Sequence, residues 1–277
     1  MTNIIDGKKI AEDIRQQILE QIREQNLQPS LAAILVGEDP ASELYVRLKK
    51  EACQKVGINF HLYRLANNCT NEQVIEVIDF LNQDPEISAL LVQLPLPKHL
   101  DTNLIIQTID PKKDADGFHP DNLQLFKLGQ QEQTPVLIAG IWQLLLSTQE
   151  KLMGRQACIL ANSREFTENM AIALEQQKIN VTIAYLADLN WREKTRKADI
   201  LIVAVGQAMI IGHDDIKKDV IVIDVGTNKI NNYFTVGDVN YTDVFSYCSH
   251  ITPVPGGVGP MTIALLLKRC LDLDQKK

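Results

Sequence analysis

A succession of short apolar runs constrains this chain more than any other feature: LAAILVG (31–37), ALLVQL (89–94), QACILAN (156–162), NVTIAYL (180–186), DILIVAVG (199–206) and DVIVIDVG (219–226). Runs of this length, rich in β-branched residues, are what strands buried on both faces require. Helical patterns separate them. Ile10, Ile14, Ile18 and Ile22 form an i, i+4 stripe, and Asp39-Pro40 supplies an N-cap and a first-turn proline for a helix running to Val56 and stopping at Gly57. Thr70 and Gln73 form a capping-box pair ahead of Val74, Ile75, Ile78 and Leu81. Further helices are expected at about 165–177 and 259–273. Parallel strands need a crossover between them, so this alternation predicts an α/β protein with parallel sheets.

The later runs have the rhythm of a doubly wound, Rossmann-like nucleotide-binding domain. The expected division is a first domain of residues 1–140, rejoined by the helix 259–277, and a second of residues 141–258. Composition adds exclusions. A formal net charge of -7 argues against a general nucleic-acid or anionic-membrane surface. No apolar run reaches the roughly 18 residues of a membrane span. The five cysteines lack a CxxC pair or metal-ligand spacing, and Cys53, Cys158 and Cys270 lie in apolar stretches, which fits packing in a reducing, cytoplasmic setting. His61, His99, His119, His213 and His250 also lack ligand spacing, so no metal is expected.

A few polar residues stand out against this scaffold. Tyr45 and Lys49 are i and i+4 on the helix after Asp39-Pro40, and the apolar stripe between them is read as Leu44, Leu48 and Ala52. Gln93 interrupts an apolar strand near its carboxyl end, where open α/β sheets bind ligands. A buried amide there needs partners, whether in a structural network or in a site. PKKDADGFHP (111–120) sets Asp114 and Asp116 in a turn-rich loop. TPVPGGVGPMT (252–262) places glycines ahead of a helix, a form that permits close backbone approach by a ligand.

Together, LAAILVGEDPASELYVRLKKEACQKVGI, ALLVQLPLP, PKKDADGFHP and ITPVPGGVGPMT occur in an order and approximate spacing that resembles the bifunctional methylenetetrahydrofolate dehydrogenase/methenyltetrahydrofolate cyclohydrolase family. The resemblance covers nearly the whole chain. It implies a folate-binding catalytic domain, a dinucleotide-type domain, tetrahydrofolate derivatives as ligands and a homodimer. It also implies two steps: hydride transfer from methylenetetrahydrofolate to NADP, then opening of the methenyl cation by water. By position it assigns Lys49, Tyr45 and Gln93 to catalysis, with Lys49 exchanging protons with water, Gln93 holding Lys49, and Tyr45 packing on substrate. Asp116 is assigned to the donor edge of the pterin, and Pro255, Gly256 and Gly257 to the loop lining the folate cleft.

The dinucleotide half departs from this pattern. The family's G-R-S-x-x-V-G-x-P turn is here Ala161, Asn162, Ser163, Arg164, Glu165, Phe166, Thr167, Glu168 and Asn169, with only the serine kept. Its H-S-x-T segment is Tyr185, Leu186, Ala187 and Asp188, its P-C-T-P-x-G loop is residues 135–140, and the proline of its A-x-G-x-P loop is Ala208. Glu165 and Glu168 would add negative charge where a phosphate should bind. Ser163 and Asn162 remain as weakened cofactor contacts, and Asp188 as an acceptor for a ribose hydroxyl, the arrangement that would favour NAD. The expectation is a cyclohydrolase whose NADP-dependent dehydrogenase activity is impaired or absent. Two alternatives stay open: a fully bifunctional enzyme with a divergent cofactor loop, and a non-catalytic folate-binding homologue.

Overall fold

The structure, a computed structural model, describes residues 2–230 and 234–277. Its first half contains β1 (Asn3–Ile4), α1 (Gly7–Gln25), β2 (Ser30–Val36), α2 (Pro40–Val56), β3 (Asn59–Leu65), α3 (Asn71–Gln83), β4 (Ala89–Val92), α4 (Thr102–Thr108) and α5 (Pro120–Lys127). The second half contains α6 (Val136–Ser147), β5 (Gln156–Ala161), α7 (Arg164–Gln176), β6 (Asn180–Ala184), α8 (Trp191–Thr195), β7 (Ile200–Ala204) and β8 (Val220–Asp224). It ends with β9 (Asn228–Lys229), β10 (Thr235–Val236), α9 (Tyr241–Val244), β11 (Cys248–Ile251) and α10 (Val258–Asp274). No helix among the described residues is long and apolar enough to cross a membrane.

The chain forms two compact units, one of residues 11–136 with 263–277, the other of residues 1–10 with 137–262. This differs from the expected division at the amino terminus. β1 pairs in parallel with β11, Asn3 opposite His250 and Ile4 opposite Ile251, so this strand joins the second sheet and carries its segment into the second unit. A two-residue strand is too short to show a period, which is why the sequence assigns this segment to the first half by order alone.

In the first unit the sheet order is β3–β2–β4, all parallel. From β2 the chain passes to β3 on one side and later to β4 on the other, so the strand order reverses at β2. β2 and β4 are buried throughout, as their apolar runs require. Helices cover both faces: Leu31, Ala33 and Leu91 pack with Ile18, Cys53, Leu267 and Cys270, whereas Ile34 and Leu90 pack with Ile78, Leu81 and Ile105. Beyond β4, Lys113 and Ala115 exchange backbone bonds with Leu90 (2.7 and 3.0 Å), which carries the sheet one short step further.

The helix that bears Tyr45 and Lys49 forms as the sequence predicts at both ends. Asp39 accepts the Ser42 N–H at 2.8 Å, and Gly57 closes the helix with φ 85°, in the left-handed region open to glycine. Its buried stripe is a correction. Ser42, Val46, Lys49, Ala52, Cys53 and Val56 face inward, whereas Leu48 is 37% exposed. Lys49 therefore lies on the buried face itself rather than beside it. An unpaired apolar count favours Leu44 and Leu48, but the sheet selects the opposite side.

The second unit has the order β1–β11–β8–β7–β5–β6, again parallel. From β5 the chain moves to the edge strand β6 and then returns to β7 on the other side. The crevice between the carboxyl ends of β5 and β7 is thus the topological switch point, where a doubly wound sheet binds its ligand.

Candidate active site

At the switch point of the first unit, the end of β4 delivers Gln93 and the helix after β2 delivers Lys49. Gln93 is just past the last strand residue, and its backbone N–H still bonds to Ile34 O at 2.8 Å, so its position is fixed by the sheet. Its side-chain amide donates from Nε2 to Leu94 O at 2.7 Å. With the nitrogen end committed, Oε1 faces Lys49 and accepts from Nζ at 3.0 Å. Lys49 is 9% exposed and Gln93 8%. Among the described residues Gln93 is the one hydrogen-bond acceptor for this buried lysine, and burying such a group is costly for stability alone. Tyr45, one turn earlier on α2, is 36% exposed and therefore nearer solvent than Lys49.

Asp114 and Asp116 take separate parts. Asp114 is buried and accepts from the backbone of Gly117 (2.9 Å) and His119 (2.8 Å) and from Asn122 Nδ2 (3.0 Å). It builds the loop. Asp116 follows the short sheet extension, and its backbone carbonyl accepts from Val136 N at 3.0 Å. Its carboxylate accepts no hydrogen bond among the described residues. Burial pushes the Asp116 carboxyl above the usual carboxylate range; the Lys49 charge opposes this, the Asp114 charge adds to it and Arg269 opposes it. Lys49, Gln93 and Asp116 are thus gathered on one unit, with an acid that has spare acceptor capacity. Burial also pushes the thiol of Cys53, one turn beyond Lys49, up to about 12, which leaves it a packing residue.

Pro255, Gly256 and Gly257 belong to the second unit, in the turn between β11 and α10. Gly256 has φ 120°, and its carbonyl accepts from Lys8 N at 2.9 Å. Gly7 is a positioning residue that sequence patterning misses. A Cβ on Gly7 would lie 2.0 Å from Gly257 O. Replacing Gly7 by alanine is expected to displace this loop and to cost about 1–3 kcal/mol, as overpacking does. A lowered melting temperature in calorimetry checks this, and an unchanged one would show that the start of α1 does not hold the loop.

At the second switch point the side chains meet one another. Asn162 Nδ2 donates to Val205 O at 2.6 Å, spanning from the end of β5 to the end of β7. Ser163 caps α7, accepting the Phe166 N–H at 3.2 Å. Thr167, fully buried, donates to Arg164 O at 2.9 Å and lies 3.1 Å from the Tyr185 hydroxyl. Asp188 accepts from Lys194 Nζ (2.8 Å) and Tyr185 N (3.1 Å), and these two bonds hold its carboxyl below the usual range. Glu168 pairs with Arg164 at 2.7 Å, so of the two acids read at this terminus its charge is offset, whereas Glu165 is an exposed acid in the first turn. Two residues here escape pattern reading. Asp238 accepts from Val205, Gly206 and Gln207 N–H groups (2.6, 3.0 and 3.0 Å) and so fixes the loop after β7, while Asp224 accepts from Gly226, Asp238 and Val239 N–H groups. Among the described residues, no group of three or more His, Cys, Asp or Glu could hold a metal ion.

Comparison with known proteins also divides the chain in two, at different bounds. Residues 5–116 match the family described as tetrahydrofolate dehydrogenase/cyclohydrolase, catalytic domain, and residues 135–277 match its NAD(P)-binding domain. The bifunctional protein FolD of Nitratiruptor sp. is 42% identical over 278 residues, covering 99% of this chain and 98% of that protein. The FolD of Bacillus subtilis is 42% identical over 266 residues, covering 95% and 94%. Among solved structures, the bifunctional FolD of Campylobacter jejuni superposes with a TM-score of 0.95 at 36% identity, covering 100% of this chain and 99% of that one. The Trypanosoma brucei enzyme, solved with NADP cofactor and inhibitor, gives 0.94 at 30% identity, with coverage of 99% and 98%. The chain belongs to the tetrahydrofolate dehydrogenase/cyclohydrolase family.

Proposed function

We propose that this enzyme interconverts one-carbon forms of tetrahydrofolate, and that its principal activity is hydrolysis of methenyltetrahydrofolate. The observation that carries this reading is the buried Lys49–Gln93 bond of 3.0 Å at the switch point. Water attacks the cationic carbon of the methenyl bridge, and as the C–O bond forms the water gives up a proton, which Lys49 accepts. The new hydroxyl then loses its proton as its oxygen becomes a carbonyl, one C–N bond of the bridge breaks and the departing nitrogen takes up a proton, leaving a formyl group on the other nitrogen, and Lys49 releases the proton it took from water to solvent. Gln93 holds the lysine in reach throughout, because its own amide is anchored on Leu94 O. Tyr45 packs on the substrate at the more exposed end. Asp116 supplies the acceptor for the donor edge of the pterin.

The dinucleotide half fits its group poorly. A pyrophosphate approaches a first turn that leaves backbone N–H groups bare and lacks Cβ atoms. Here residues 161–169 include no glycine, and Thr167, at the position of the second family glycine, puts a buried side chain against Tyr185. The Asn162 side chain spans the crevice instead of reaching for a phosphate. Asp188, the residue that would favour NAD, is already engaged by Lys194. These observations support impaired or absent dehydrogenase activity. The second reading, a fully bifunctional enzyme, is favoured by the names of the relatives, which are called bifunctional. It requires the cofactor to bind in a different geometry.

The direct test follows the loss of methenyltetrahydrofolate absorbance with the purified protein. Turnover above the spontaneous rate is expected, and its absence would leave a non-catalytic folate binder. Asp116→Ala provides a separate check on substrate contact. Loss of a charge-assisted hydrogen bond costs roughly 1.5–3 kcal/mol, so tetrahydrofolate binding should weaken by about ten- to a hundredfold, with a smaller effect on the rate at saturation. Unchanged affinity by calorimetry in a folded variant would remove Asp116 from the binding site.

A further inference from the structure

The last helix carries a cation where its neighbours are apolar. Arg269 lies on α10 between Leu266, Leu267 and Cys270, which are buried in the core of the first unit. One guanidinium nitrogen, Nη2, donates to Thr134 O at 2.6 Å. The other, Nη1, is closed off from water and has no hydrogen-bond partner among the described residues. A buried unpaired donor on a charged group is expensive, so its place calls for a reason. Nη1 lies 3.1 Å from where a Cβ on Gly117 would stand, and Gly117, with φ +79°, immediately follows Asp116. The guanidinium therefore rests against the loop that presents the one carboxylate of this site without a hydrogen bond.

We propose that Arg269 is a positioning residue for the substrate pocket, whose positive charge holds Asp116 in its carboxylate form and oriented toward the pterin. The proposal rests on the reading of Asp116 as a folate contact. An acid partly shut off from water loses its charge unless cations stand near it. The charged groups that face Asp116 are Lys49 on α2, Asp114 in the same loop and Arg269 on α10; Arg269 in turn faces Asp114 most strongly, then Asp116 and Asp272. Asp114 already accepts from the loop backbone, so the carboxylate near Arg269 that lacks a hydrogen bond among the described residues is Asp116; Lys49 also opposes its burial when charged, but gives up that charge to act as the base. When Lys49 is neutral and able to accept a proton, Arg269 is the cation that remains near Asp116 and takes no part in proton exchange. Proton transfer at Lys49 and pterin recognition at Asp116 would then be separated electrostatically.

The test measures tetrahydrofolate affinity, under anaerobic conditions, from mildly acidic to mildly alkaline pH. A carboxylate acceptor loses binding as pH falls through its pKa, and removing a nearby cation raises that pKa. Arg269→Gln keeps an N–H donor for Thr134 O but removes the charge. Its acidic limb should move to higher pH by about one unit, giving about tenfold weaker binding on that limb and little change at alkaline pH. Arg269→Lys keeps the charge and should keep the wild-type limb. Asp116→Asn should flatten the limb altogether. If Asp116→Asn flattens it while Arg269→Gln coincides with wild type, or if the lysine and glutamine variants shift equally, the role given to Arg269 is overturned. If Asp116→Asn changes neither affinity nor pH profile, the assignment of Asp116 itself fails.

Discussion

Replacing Lys49 by methionine is expected to abolish hydrolysis of methenyltetrahydrofolate while the protein keeps its fold. Methionine has a similar length and no proton to exchange, and it fills the space on the buried face of α2 between Val46 and Cys53. General acid–base assistance contributes about 10²–10⁴-fold, so the rate should fall by that order toward the uncatalysed reaction. The substitution also leaves Gln93 Oε1 without the donor it accepts from at 3.0 Å, a cost to stability that circular dichroism and thermal unfolding will register separately from activity. Substrate affinity is the discriminating control. A variant that binds tetrahydrofolate but does not turn over methenyltetrahydrofolate places Lys49 in the chemical step. Near-wild-type hydrolysis by a folded variant would remove Lys49 from the mechanism, and the buried Lys49–Gln93 pair would then be an internal prop of the sheet.

How far the sequence carries this site depends on which face and which strand end each residue takes. The caps of α2 are local chemistry, and both are legible from Asp39-Pro40 and Gly57. The polar Gln93 at the carboxyl end of an apolar run is legible too, although β4 stops at Val92 and Gln93 follows it rather than interrupting it. What the helix buries is decided by the sheet beneath it, so Leu48 turns outward and Lys49 inward although apolarity alone says the reverse. β3 is not foreseen, because NFHLYRL alternates like an edge strand and carries His61 and Arg64 toward exposed positions. Gly7 and Arg269 are invisible for a different reason. Each matters through one long-range approach, Gly7 to Gly257 and Arg269 to Gly117, and no local period records such an approach. A lone arginine in a helix reads as a surface charge until the opposing loop is placed against it. The acids Asp224 and Asp238 share that fate, since their partners are backbone N–H groups of loops far apart in the chain.

The protein should also hydrolyse methenyltetrahydrofolate while oxidising methylenetetrahydrofolate with NADP poorly or not at all. The two steps use one folate pocket, but only the oxidation needs a dinucleotide, so the hydrolytic residues can persist after the cofactor turn is lost. Each hydrogen bond to a charged group is worth roughly 1.5–3 kcal/mol, and the loss of two phosphate contacts weakens binding by about two to four orders of magnitude. The arginine and second serine that would make those contacts are Asn162 and Leu186 in this chain. Geometry adds to the loss. Asn162 is spent on Val205 O, Ser163 on the first turn of its own helix, and Thr167 on Arg164 O beside the Tyr185 hydroxyl. A cofactor would have to break these bonds before making its own, and Glu165 would repel its phosphates from the exposed first turn. NAD avoids the missing 2′-phosphate contacts but still meets a turn without glycine and an Asp188 engaged by Lys194. The measurement is both reactions on one preparation, with NADP and NAD each raised to millimolar concentration. Robust oxidation at micromolar NADP would overturn this reading and show that the turn rearranges around the cofactor. Hydrolysis that persists alone, with no saturable binding of either dinucleotide, would mean that the second unit does not serve this enzyme as a cofactor site.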